Sequence, residues 1–249
     1  MAGHSQFKNI MYRKGAQDAK RAKVFAKHAR ELTVAVKAGG PDPDMNARLR
    51  TGISAARAAN MPNNNIERAI KRASDSGEGA DFIEVRYEGY GLNGVAVIVE
   101  ALTDNRNRTA SDVRAAFTKH GGKLGETGSV NFLFDRVGLL QYPVSGAGED
   151  EMFEAALDAG ADNADTTVTH YVVTCSPDLF NNVREALELR FGVAESARLE
   201  WLPQTTLSLD EEAARTLIKM IEVLEDNDDV QSVHANFEIS DQVLQKLSV

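Results

Sequence analysis

The sequence predicts an α+β protein of three domains: an N-terminal helical bundle and two α/β domains, one ferredoxin-like and inserted in the other. Three observations predict it. Up to about residue 75, apolar residues recur at helical spacing. From Phe82 the pattern changes to period two. From Gly138 strands and helices alternate in a split βαβ order, and the elements on either side of that stretch would complete one sheet together. The 249 residues, 43% hydrophobic and 26% charged, are enough for several cores and have the balance of an ordinary soluble chain. The expected domains are 1–78, then 79–136 with 205–249, and the insertion 137–204.

The first helix runs from about Asp18 to Lys37. Phe25, Ala29, Leu32 and Val36 recur at steps of four, three and four, which makes one apolar face. Gly39-Gly40 stops it. After the loop PDPDMN a second helix spans about Asn46–Asn60, with Leu49, Ile53, Ala56 and Ala59 inward. Met61-Pro62 breaks it. A third helix begins at Asn63, a good N-cap, and buries Ile66, Ala69, Ile70 and Ala73. The linker SDSGEGAD follows.

Phe82–Tyr90 and the almost wholly apolar Val95–Leu102 read as a hairpin around Gly91–Gly94. Thr109 or Ser111 is expected to cap the next helix, which stops at Gly121-Gly122. The stretch GGKLGETGSV fits no phosphate-loop pattern and reads as a flexible connection into a strand at Val130–Phe134. Strands near Leu139–Val144, Thr167–Cys175 and Ala197–Leu202 alternate with helices near Asp150–Ala159 and Pro177–Phe191. Thr205–Leu209 gives a short strand. Asp210 caps a helix over Glu211–Leu224 whose first turn holds Glu211 and Glu212, where the dipole favours acids. A strand at Val230–Phe237 and a tail helix end the chain.

Charge is divided unevenly. Residues 1–73 hold 15 Lys and Arg against 5 Asp and Glu; the rest holds 13 against 32. The overall net charge of −9 therefore hides a strongly basic segment, and a field of that sign draws polyanions. On the first helix Lys20, Lys23, Lys27, Arg30 and Lys37 lie opposite the apolar stripe, with Arg21 beside the first of them. Ahead of it Lys8, Arg13 and Lys14 alternate with Phe7 and Tyr12, the mixture that phosphate contacts and base stacking use. Arg106 and Arg108 sit at the start of the helix after TDN. There they either meet an anion at the helix N-terminus or pair with Asp104 or Asp112.

Other chemistry is thinly represented. The lone Cys175 lies in the apolar run YVVTC and excludes an internal disulfide framework. None of the five histidines is four residues from another, so no helical zinc pair is encoded. The acid runs at Glu149–Glu151 and Glu225–Asp229 invite a Mg²⁺ nuclease reading, against which stands their ordinary use as helix caps and solvated turns. No catalytic residue, metal or cofactor is assigned. No apolar run reaches membrane-spanning length. Asp18, Glu31 and the scarcity of Ser argue against a transit peptide, so the expected location is cytoplasmic. The sequon at Asn107–Thr109 carries no weight there.

GHSQFKNI, the loop PDPDMNARLR, AANMPNNNIERAIKRA, YEGYG, TDNRNRT and GSVNFLF together resemble the YebC family along the whole chain. Phe7 stands where many members have Trp. The resemblance implies three domains with the third inserted in the second, and no enzymatic activity. It also implies one of two roles: DNA-binding transcription regulation, or translation regulation by a ribosome-associated, RNA-binding protein that assists difficult stretches. No helix-turn-helix or zipper is legible, so ribosome or rRNA is the preferred partner and promoter DNA the alternative. A monomer, with no membrane and no small-molecule substrate, is expected. Outside this class stand a cleft hydrolase or nuclease and a module binding an acidic protein.

Overall fold

The structure, a computed structural model, describes residues 21–75 and 81–247. They fall into two units. The first comprises 21–34, 81–135 and 202–247; the second comprises 35–75 and 136–201.

The first unit is built on a four-stranded antiparallel sheet. β1 (Ile83–Tyr90) and β2 (Ala96–Thr103) form the expected hairpin, in register from Ile83 opposite Thr103 to Tyr90 opposite Ala96. The sheet order is β3-β1-β2-β9, with β3 at Lys123–Leu124 and β9 at Val230–Ala235. β2 is central, which is why its residues are apolar on both faces. Helices α4 (Arg106–Lys119) and α7 (Glu211–Glu225) cover the sheet, and Val97, Val99, Val113, Phe117, Leu217 and Met220 close the core. Asp210 caps α7 as its position implies, its carboxylate accepting from Ala213 N at 2.9 Å. A parallel pair, β8 (Leu207–Leu209) and β10 (Phe237–Ile239), and a tail helix α8 (Asp241–Leu247) complete the unit. From α1 (Arg21–Gly39) this unit takes the residues up to Val34.

The second unit holds the ferredoxin-like βαββαβ series: β4 (Phe134–Pro143), α5 (Glu149–Asp158), β5 (Asn163–Thr166), β6 (His170–Cys175), α6 (Phe180–Phe191) and β7 (Ser196–Pro203). Its sheet order, β5-β6-β4-β7, is that of this topology. α2 (Ala47–Ala58) and α3 (Asn63–Asp75) belong to the same unit. Arg184 of α6, buried, donates to Thr51 Oγ1 at 2.5 Å, and Arg50 meets Glu185 at 3.1 Å. These bonds tie α2 to α6. Cys175 is buried, and burial with nearby Asp162 pushes its thiol up to about 11, which keeps it protonated at neutral pH.

Three local expectations need correction. The strand read at Thr167–Cys175 is the second arm of a hairpin, β5–β6, because Asp165 and Thr166 pair with Val172 and Tyr171. The strand expected at Val130–Phe134 is a 3₁₀ turn over Asn131–Leu133, and β4 begins only at Phe134. α4 starts four residues earlier than a Thr109 cap would allow. Asn105 caps it by accepting from Arg108 N at 3.1 Å, and Thr109 is turned into the interior.

Candidate nucleic-acid interface

The cationic face of α1 is set by helical spacing: Lys23, Lys27 and Arg30 at i, i+4 and i+7 project to one side. That side meets the chain's own C-terminal half. Lys23 Nζ lies 2.9 Å from the Asp226 carboxylate and 3.1 Å from its carbonyl oxygen. Lys27 Nζ donates to the Glu225 carbonyl at 2.6 Å. Arg30 donates to Asp229 Oδ1 at 2.8 Å and to the Asp228 carbonyl, and its guanidinium stacks 5.1 Å over the Phe82 ring. The carbonyls of Glu225 and Asp226 terminate α7. The three cations therefore sit at the negative end of a helix dipole, beside the carboxylates that follow it. Burial lowers the Lys27 pKa, partly offset by Glu225, Asp228 and Asp226. Sequence reading weighed the acid run 225–229 as a Mg²⁺ cluster against helix caps and solvated turns, and only the fold shows it to be the counterpart of α1.

Asp229 is the hub of this arrangement. Its side chain is 4% exposed. Oδ1 accepts from Arg30; Oδ2 has Arg108 Nη2 and Thr109 Oγ1 at 2.7 Å each and Thr103 Oγ1 at 3.2 Å. Arg108 also meets Asp104 at 2.8 Å. Burial would raise the Asp229 pKa, but the bonds from Arg108 and Thr109 and the charges of Arg108 and Arg30 outweigh it and hold the carboxyl below its usual range. The bonds to Asp229 and Asp104 likewise raise Arg108. The segment TDNRNRT thus receives an anion at the start of α4, and that anion is the chain's own carboxylate. Arg106, in the first turn of α4, is exposed, and among the described residues its guanidinium has no hydrogen bond or ion pair.

Of the residues expected to touch nucleic acid, Phe7, Lys8, Tyr12, Arg13, Lys14 and Lys20 lie outside the described residues, and Arg21 is the first residue of α1. Lys23, Lys27 and Arg30 converge on residues 225–229, and Arg108 joins Arg30 at Asp229. Arg106 stands apart from them on the surface.

A second feature escaped the sequence. Glu88 of β1 is 1% exposed, and its Oε2 accepts from Val130 N at 2.9 Å and Asn131 N at 3.0 Å. Arg86 Nε lies 2.9 Å from its Oε1. Gly125 N bonds the Glu88 carbonyl and Tyr90 Oη donates to Ser129 O, at 2.8 and 3.0 Å. Gly122 is required here, since a Cβ would stand 2.7 Å from the Tyr90 carbonyl oxygen. The glycine stretch expected to be a flexible connection is therefore pinned at several points, and it holds Phe132 63% exposed at its end. Nothing local in the sequence marked it, since Glu84, Arg86 and Glu88 alternate along β1 and only Glu88 is buried.

Among the described residues no helix is long and apolar enough to cross a membrane, and no group of three or more His, Cys, Asp or Glu side chains is placed to hold a metal ion.

Two family descriptions match this chain: "TACO1/YebC protein N-terminal domain" over residues 5–76, and "TACO1/YebC second and third domain" over residues 82–237. Among solved structures, the crystal structure of a conserved hypothetical protein from Aquifex aeolicus is similar. Identity is 47% and the TM-score is 0.82, over 92% of this chain and 94% of that one.

Proposed function

The chain belongs to the TACO1/YebC family, and from that premise we propose that it is a non-enzymatic, nucleic-acid-binding regulator of gene expression. It acts in the cytoplasm as a ribosome- or rRNA-associated translation factor. The observation that carries this reading is the excess of cations in the first 73 residues of an otherwise acidic chain. A segment so rich in cations draws a polyanion toward it.

The N-terminal cations Lys8, Arg13, Lys14, Lys20 and Arg21 make the first phosphate contacts in this reading, and Phe7 or Tyr12 stacks on a base. Arg106 adds a contact from the start of α4. Lys23, Lys27 and Arg30 reach phosphate only by exchanging bonds to residues 225–229, so each contributes less than the cations that precede them. A factor of this kind recognises RNA shape and unpaired loops and needs no base-reading helix. DNA-binding transcription regulation is the competing role.

Equilibrium binding of the purified chain to ribosomes and to genomic duplex fragments tests the reading. Ribosomes are expected to bind more tightly at every salt concentration. Replacing Lys8, Arg13 and Lys14 by Ala should flatten the plot of log K against log[salt] by about two to three units. Tighter binding to duplex DNA would transfer the proposal to transcription.

A further inference from the structure

The cations of α2 and α3 differ from those of α1. α2 ends at Ala58, and Asn60 follows in the left-handed region at φ 59°, which Asn tolerates better than most residues. Met61 N then bonds back to Ala56 O at 2.9 Å, closing the helix, and Met61 itself is buried. The Pro62 carbonyl accepts from Asn65 N and Ile66 N at 2.8 and 3.2 Å, opening α3. The corner is therefore fixed from both sides, and its exposed side chains are presented in a set geometry.

Those exposed side chains are Arg57 at the end of α2, Asn60 in the turn, and Asn63, Asn64, Arg68 and Lys71 of α3. Asn64, Arg68 and Lys71, at steps of four and three, share the face opposite the buried Ile66 and Ala73. Among the described residues the side chains of Arg68 and Lys71 have no hydrogen bond or ion pair, and that of Arg57 has one long bond, from Nε to Asn63 Oδ1 at 3.4 Å. Glu67 flanks this face and Asp75 closes its far end, so the positive field is strongest at the corner itself.

We propose that the α2–α3 corner is an RNA-contacting surface: Arg57, Arg68 and Lys71 hold phosphates while the amides of Asn60, Asn63 and Asn64 bond to exposed base edges and 2′-hydroxyls. The chemistry selects this partner. An acidic protein surface presents chiefly carboxylate acceptors, which the cations alone would satisfy. Unpaired RNA offers donors and acceptors beside a regular row of negative charge. The rigidity of the corner lowers the ordering cost of binding. The inference rests on the RNA-bound role proposed above and gives it a second contact surface.

The test uses the full chain, large-subunit ribosomal RNA as the probe, and the variant Arg57→Ala/Arg68→Ala/Lys71→Ala. All three side chains are exposed, so the variant should keep the circular dichroism and thermal midpoint of the parent. Its affinity is expected to fall at least tenfold at physiological salt, and the salt slope by about two units, near 0.7 per lost contact. Lys at positions 57 and 68, with Lys71 retained, should restore the slope. A parent that binds while the folded triple variant binds as tightly, with an unchanged slope, overturns the corner and leaves the translation role standing. A parent that does not bind the RNA at all overturns both.

Discussion

Replacing Asp229 by Ala is expected to destabilise the protein by about 3–5 kcal/mol, the range for removing one partner of a buried charge pair. The thermal midpoint should fall by about 10 °C for a chain of this size. Four donors converge on this carboxylate. Thr103 and Thr109 are both 0% exposed and have no water to turn to. Arg108, about half exposed, can resolvate and limits the loss. Asp229→Asn keeps the shape and part of the bonding and should cost about half as much. The sign of the pH effect follows from the depressed pKa of the folded carboxyl. Its stabilisation is fully present above the ordinary carboxylate range and is lost as pH falls through the lower folded value. The variants should therefore show a weaker acid dependence than the parent, as read by urea midpoints between pH 7 and pH 2. A parent-like midpoint in Asp229→Ala would remove the hub from the account.

Glu88→Ala is expected to cost about 3 kcal/mol, since it strips buried loop N–H groups of their acceptor and leaves Arg86 without its carboxylate. Burial would raise the Glu88 pKa. The backbone bonds from Val130, Gly128 and Asn131, with the Arg86 charge, outweigh this and hold it below its usual range, so this group too loses its contribution in acid. The effect should be local as well as global. Amide exchange at residues 125–133 is expected to accelerate by more than the loss of global stability explains, because that loop is held to β1 by the side chain removed. Phe132→Ala is the matched control. Its ring is mostly exposed, so stability should change by less than about 0.5 kcal/mol. Uniform acceleration across the chain would mean that Glu88 does not pin the loop.

The elements that pattern and capping specify were legible in the sequence. The β1–β2 hairpin follows from the alternation across Gly91–Gly94, and α7 follows from Asp210 and a long amphipathic run. The ferredoxin-like order follows from strands and helices in sequence. What was not legible depends on contacts between distant residues. Asn105 rather than Thr109 caps α4 because Thr109 is taken by Asp229, 120 residues away. Lys23, Lys27 and Arg30 read as a stripe open to a polyanion because nothing local shows that residues 225–229 lie against them. Periodicity gives the side of a helix a residue occupies and is silent on what that side faces. Glu88 was equally hidden, since its partners are backbone N–H groups of a loop and no residue type announces them. In the N-terminal region the basic character was plain from counting, while the difference between partnered cations on α1 and unpartnered Arg68 and Lys71 on α3 required coordinates.

The most direct test of the central claim is sedimentation of a cell lysate through a sucrose gradient at moderate salt, with the protein followed by immunoblot before and after RNase. The account predicts co-migration with ribosomal particles and a shift to the top of the gradient once RNA is digested. Protein confined to the top of the gradient under both conditions would contradict a ribosome-bound role.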